Sequence, residues 1–267
     1  MDALERISAL AQLTEADPAM TAYRNSQRER ERIRDLFRLV PGEGQTALDI
    51  GARDGFLSRM LAERYAAVTA LDLELPQFDH PGVTCVQGDV TRLQFPDQTF
   101  DLVLCAEVLE HIPTHQLRRA CAELSRVTAK LLVIGVPYDQ DIRVDRTTCR
   151  TCGGHNPPWG HVNSFNELNL EMLFPELKVE KIAFVGEHRD RTNAVSAWLT
   201  DLAGNPYGTY DQDEGCIHCS AKLVPPAHRT LLQRGAGKLG DRLRRAQQVF
   251  LSPRPNWIHV LYSRPTA

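Results

Sequence analysis

The chain has 267 residues, 42% of them hydrophobic, enough for one large domain or for a domain carrying a smaller module. Its formal net charge of −3 is unlike the strongly basic balance of a surface that coats nucleic acid. No apolar run approaches the roughly 20 residues that cross a bilayer, and the opening "MDALERISAL" lacks the basic start and apolar middle of a secretory signal. The expectation is a soluble, cytoplasmic protein with no membrane partner and an unlikely fit to nucleic acid.

Residues 1–45 read as a helical segment: Leu4, Ile7, Leu10, Ile33, Leu36, Phe37 and Val40 recur at helical spacing, with a break near Pro18 and "PGEG" as the stop. From residue 46 short apolar runs alternate with helical pattern: "TALDI", "FLSRMLAERY", "AVTALDL", "VTCVQGD", "FDLVLCAEV", "THQLRRACAELSRV" and "KLLVIGVP". That alternation predicts βαβ units and an α/β fold with a parallel sheet. After Pro137 the regularity lapses, then a helix around 166–174 and the strand "KVEKIAFV" follow, and "NWIHVLYSR" forms a last strand. The predicted organisation is a core over 46–148 completed by 164–185 and 255–267, with an inserted module from 149–163 and 186–254.

In "ALDIGARDGF" the strand ends at Asp49 and Ile50, Gly51 makes the turn, and Gly55 lets the next helix start close to the sheet. Bare backbone at such a turn admits a ligand to N–H groups at the helix start. Asp72 sits where an acid accepts hydrogen bonds from ribose hydroxyls, about 20 positions on. The glycines alone equally fit an ordinary βα turn. Their spacing departs from G-x-G-x-x-G, and an acid at the loop's start suits a cationic or zwitterionic ligand better than a pyrophosphate.

The run "VQGDVTRLQFPDQTFDLVLCAEVLEHI" adds Asp89 after the third strand. With it, residues 46–137 resemble the class I S-adenosylmethionine-dependent methyltransferases, in particular the small-molecule branch with an "LPFPDxSFDLV" segment and an "EVLEHI" run. The resemblance implies a Rossmann-like, mostly parallel seven-stranded sheet with helices on both faces, ending in an antiparallel strand. It also implies S-adenosylmethionine as cofactor, with Asp49, Gly51 and Gly55 around its methionine part, Asp72 on the ribose, Asp89 on the adenine amino group and Val90 beside the ring. Cys105 and Glu107 would border the methyl-donor site. Arg53 departs from the pattern, standing where the second loop glycine is usual. We expect it at negative φ with its side chain in solvent; the alternative is a contact with a carboxylate of the cofactor or of Glu107.

Cys149 with Cys152 and Cys216 with Cys219 form two C-x-x-C pairs that resemble zinc knuckles. Two such turns supply a closed four-thiolate shell, a structural site with no open position. Reduced surface cysteines are the plainer reading, His155, His161 and His218 lie near enough in sequence to replace a thiolate, and zinc and iron are not distinguished.

For methyl transfer to oxygen or nitrogen a proton acceptor is needed. His161, beside Trp159, is one candidate, with helix capping or support of the metal site as the alternative; His111 in "LEHIP" is a second, with packing as the alternative. Asp139, Asp141 and the loop "NPYGTYDQDEG" are further candidates for the acceptor's surroundings. The expected activity is methyl transfer to a small molecule, such as a sugar or secondary metabolite. Two other readings stand beside it: an RNA or protein methyltransferase gripping its substrate with the zinc module and the basic helix 228–245, and a non-enzymatic partner-binding protein that keeps the fold.

Overall fold

A computed structural model describes residues 18–212 and 214–265. The helical reading of residues 1–17 lies outside the described residues. The chain separates into two units, one of residues up to Tyr138 with Phe165–Gly186 and Pro255 onward, the other of Asp139–Ser164 with Glu187–Arg254.

In the first unit, helices α1 (Pro18–Asn25) and α2 (Gln27–Leu39) precede the strands β1 (Gly44–Ile50), β2 (Tyr65–Asp72), β3 (Val83–Gln87), β4 (Phe100–Ala106) and β5 (Thr128–Pro137). Helices α3 (Phe56–Ala62) and α4 (Thr114–Val127) are the crossovers after β1 and β4. α2 starts where Ser26 Oγ accepts the Glu29 N–H at 3.3 Å, and its apolar stripe of Ile33, Leu36, Phe37 and Leu39 is buried.

Side chains alternate across the pleat, and the two faces carry two separate cores. Leu48, Ile50, Val103, Cys105 and Ile134 pack with Leu124 of α4 and with Phe174. Ala47, Leu102, Leu104 and Val133 pack with Ile33 and Leu36 of α2 and Leu61 of α3. Each fully buried leucine contributes about 1.5–3 kcal/mol, so both layers are needed to hold the sheet.

Helix α5 (Glu167–Leu173) and the strands β8 (Lys178–Val185) and β9 (Trp257–Ser263) complete this unit. Among the described residues the sheet has seven strands in the order β3-β2-β1-β4-β5-β9-β8. β1 through β5 are parallel; β9 runs antiparallel to both β5 and β8, with His259 opposite Gly135 on one side and Ala183 on the other. Strand order reverses between β1 and β4, the switch point outside which α/β sheets bind ligands.

The second unit holds β6 (Thr147–Thr148) paired with β7 (His155–Asn156), a 3₁₀ turn at Pro158–Gly160, and helices α6 (Ala194–Leu202) and α7 (Leu231–Gln248). The core does not extend to 148, as the sequence pattern had suggested. β5 ends at Pro137, and the acids that follow belong to the second unit: Asp139 pairs with Arg191, Asp141 accepts from Thr192, and Asp145 pairs with Arg244. α6 was not foreseen; Asn193 and Ser196 close a reciprocal capping box at its start.

Candidate cofactor site and cysteine cluster

The loop after β1 is held from the carboxyl end of β2. The N–H groups of Gly51 and Ala52 donate to the Leu71 carbonyl at 2.8 and 3.1 Å, and the Arg53 N–H donates to Asp72 Oδ2 at 2.8 Å. Asp72 Oδ1 accepts the Leu73 N–H at 2.7 Å. Gly51 and Gly55 have φ of 79° and 75°, and a Cβ on either would run into Val108 or the Phe78 ring respectively.

Arg53 has φ of 45°, so the expectation of negative φ is overturned. The backbone keeps the left-handed shape that a glycine would adopt, because Asp72 pins its N–H and the Gly55 N–H closes the turn on the Ala52 carbonyl at 2.7 Å. Its side chain is exposed. The charge partner of Glu107 is Arg32, at 3.8 Å.

Asp49 is almost fully buried beneath the loop, where its Oδ2 accepts Ser58 Oγ–H at 2.6 Å. Burial pushes its carboxyl up to about 7, against the Ser58 bond and with added repulsion from Asp72 and Asp54. Asp89 accepts the Thr91 N–H at 2.8 Å and so turns the chain after β3, with Val90 buried next to it. Cys105, expected to border the ligand, is fully buried instead: alternation along β4 turns it to the face under α4, and burial raises its thiol well above the usual value.

Glu107 follows the last residue of β4 with φ of 57° and is half-buried. Trp257 Nε1–H donates to its Oε2 at 3.2 Å, and Arg32, itself bound by both oxygens of Glu29, approaches its Oε1. Burial raises the Glu107 carboxyl despite Arg32. Glu110 is wholly buried, neither oxygen has a hydrogen-bond partner among the described residues, and burial with Glu107 repulsion pushes its carboxyl well up. This acidic network at the end of β4 was missed beyond Glu107, since its members come from α2, β4 and β9. Of the two histidines, His111 is exposed in the turn after β4 in the first unit. His161 is buried in the second, with its Nδ1 2.7 Å from Gln140 Oε1.

In the second unit the four cysteines meet. Cys149 Sγ lies 3.7 Å from Cys219 Sγ and Cys152 Sγ 3.6 Å from Cys216 Sγ, and all four sulfurs fall within 4.8 Å of one another. The two turns are built alike. Gly153 and Ser220, each four residues after the first cysteine, have φ of 73° and 58° and donate to the carbonyls of Cys149 and Cys216. The Cys149 and Cys216 N–H groups in turn donate to Gly154 and Ala221, both at 2.9 Å. A tetrahedral ion with metal–sulfur bonds of about 2.3 Å requires sulfurs about 3.8 Å apart, so this donor set fits such an ion. The Cys152 backbone N–H holds the Cys149 thiol down to about 6. The imidazoles of His155 and His218 are engaged elsewhere, near Thr148 Oγ1 and the His155 carbonyl. Tyr210 braces the cluster from the nearby loop, its hydroxyl accepting the Thr148 N–H at 3.2 Å.

Residues 48–131 match the family model described as "Methyltransferase domain". The chain is 37% identical over 95 residues to the demethylmenaquinone methyltransferase of Thermobifida fusca, covering 32% of this chain and 39% of that protein. It is 36% identical over 93 residues to the ubiquinone biosynthesis O-methyltransferase of Pseudomonas paraeruginosa, covering 30% and 40%. The chain thus spans about two fifths of the length of these curated relatives. The solved structure of N-methyltransferase NodS from Bradyrhizobium japonicum in complex with S-adenosyl-L-homocysteine superposes with a TM-score of 0.54 at 16% identity, covering 99% of this chain and 100% of that one. Residues 48–131 are thus similar to the methyltransferase-domain family, and the chain shares its fold with that solved N-methyltransferase.

Proposed function

We propose that the protein transfers a methyl group from S-adenosylmethionine to an oxygen or nitrogen of a small molecule. The observation that carries this reading is the loop at the switch point, where Gly51, Arg53 and Gly55 all take left-handed backbone and Asp72 grips the Arg53 N–H. The cofactor supplies a methyl group on a cationic sulfur. In this proposal the Asp72 carboxylate, with lone pairs left after its two backbone bonds, accepts from the ribose hydroxyls, and Asp89 with Val90 meets the adenine. Asp49 acts from below the loop, as a buried acid that favours a cationic ligand above it. Gly51 and Gly55 admit the methionine part, and Glu107 borders the transferred methyl. His161 or His111 takes the acceptor's proton.

A small-molecule acceptor is supported by relatives named for demethylmenaquinone and ubiquinone biosynthesis. A sugar or secondary metabolite stays within the same proposal. We further propose that Cys149, Cys152, Cys216 and Cys219 hold a zinc ion whose role is structural, because four thiolates leave no coordination position for substrate.

The test is calorimetric titration of the zinc-loaded protein with S-adenosylmethionine and separately with NAD, repeated on Asp72→Asn. Binding of S-adenosylmethionine alone, weakened at least tenfold in the variant, is the expected result. A folded, metal-loaded protein that does not bind S-adenosylmethionine would overturn the proposal and favour the partner-binding reading.

A further inference from the structure

Helix α7 has its polarity reversed. The side against α6 carries Gly237, Gly240, Arg244 and Gln247: a Cβ on Gly240 would lie 3.0 Å from the Ser196 carbonyl, Arg244 pairs with Asp145 at 3.0 Å, and Asn193 Nδ2 donates to Gln247 at 2.7 Å. The outward side carries the large apolar residues. Leu232, Leu239 and Leu243, with Phe250 just beyond the last turn, fall on one line at 100° per residue and are 85%, 50%, 36% and 88% exposed. A helix designed only for water and its own protein turns such a stripe inward.

A second line of exposed cations, Arg234, Lys238, Arg242 and Arg245, runs along the polar face, about 125° round the helix from the stripe, and Asp241 is the single acid in α7. Where the helix ends, Phe250, Leu251 and Ser252 join His188, Arg189, Arg191 and Arg254 around an open cavity of about 270 Å³. Asp139 pairs with both Arg191 and Arg254.

We infer that α7 and this cavity form a peripheral docking surface for an anionic lipid bilayer. Leu232, Leu239, Leu243 and Phe250 enter the boundary between headgroups and acyl chains, while the long cationic side chains of the polar face and the cavity arginines reach lipid phosphates. Charge decides the occupant. A second copy of α7 would bring two strongly cationic helices together, and RNA would use the cations but leave the leucine line in water. Among the described residues no helix is long and apolar enough to cross a membrane, so α7 lies in the plane of the surface.

The test is flotation of the full-length, zinc-loaded protein with vesicles of phosphatidylcholine alone or mixed with phosphatidylglycerol. Two variants are compared, Leu232→Gln/Leu239→Gln/Phe250→Gln and Arg234→Gln/Lys238→Gln/Arg242→Gln, with circular dichroism as the check on folding. The expected result is flotation only with the anionic vesicles, reduced by salt and at least tenfold weaker in each variant. Equal flotation with both vesicle types, none with either, or full flotation of the glutamine-for-leucine variant overturns the inference. So does RNA binding that this variant retains while vesicles are ignored, or a wild-type dimer in sedimentation that it abolishes without any lipid effect.

Discussion

The guanidinium of Arg24 lies 2.5 Å from the Asp54 carboxylate and 4.2 Å above the Phe56 ring, fastening α1 to the loop that follows β1. The partners are 30 residues apart in sequence, and Asp54 also accepts the Phe56 N–H at the start of α3. Arg24→Gln should therefore loosen α1 and the loop together. We expect a loss of about 1 kcal/mol, read as about fivefold weaker S-adenosylmethionine binding. Asp54→Asn should have a similar effect and the double variant little more than either, as a double-mutant cycle would measure.

Zinc analysis should give one ion per chain, and cobalt substitution the strong visible absorption of a tetrahedral thiolate site. Cys149→Ser and Cys216→Ser each remove one buried ligand and should lose the ion and lower the melting temperature. Full metal content in both variants would count against the four-thiolate site. Chelation should make the 205–222 segment sensitive to protease, while residues 46–137 stay protected.

Arg53 pays a left-handed backbone cost that glycine would not. Arg53→Gly relieves about 1 kcal/mol of that cost but adds a similar amount of unfolded-state freedom, so thermal stability should stay nearly unchanged. Arg53→Val places a β-branched side chain at φ of 45° and should destabilise by about 1–2 kcal/mol. Matching melting curves for the valine and glycine variants would show that the loop does not hold this backbone shape in solution.

Burial raises the Asp49 carboxyl from its usual 3.8 to about 7. Between those values the folded protein binds a proton that the unfolded chain has lost. Stability from this group is therefore fully present below pH about 4, falls as pH rises, and levels off above about 7. The total is on the order of 4 kcal/mol. Glu110, raised in the same sense, adds to the fall. Asp49→Asn and Glu110→Gln keep the shape and remove the titration, so each should flatten urea-unfolding stability between pH 4 and 8. An unchanged slope in Asp49→Asn would refute the assignment.

The parallel core and the glycine loop were legible because strand–helix alternation and a left-handed turn leave marks in local residue types. The antiparallel position of β9 had no such mark and came from the resemblance to known methyltransferases. The burial of Cys105 was not legible, since alternate residues of β4 pack into one or other of two cores and its own side falls under α4. Glu29, Arg32 and Trp257 could not be joined to Glu107 in advance, since long-range ion pairs have no spacing rule. α6 escaped notice because "AVSAWLTDL" is apolar on several sides, and only its Asn193 and Ser196 cap was a usable signal. The cysteine pairs were readable from their own spacing, although their meeting point depends on chain brought together from two excursions.

The position of β9 between β5 and β8 governs the order in which the chain can assemble during synthesis. Among the described residues β8 has no neighbour in the sheet except β9, and residues 257–263 follow it by some seventy positions. Until they leave the ribosome, the edge of β5 is an open template and β8 has nothing to pair with. The nascent core must wait, with a hydrophobic strand edge exposed, through the whole time needed to make the second unit. A chain halted before Trp257 is accordingly a substrate for chaperones and proteases, however complete its cofactor loop.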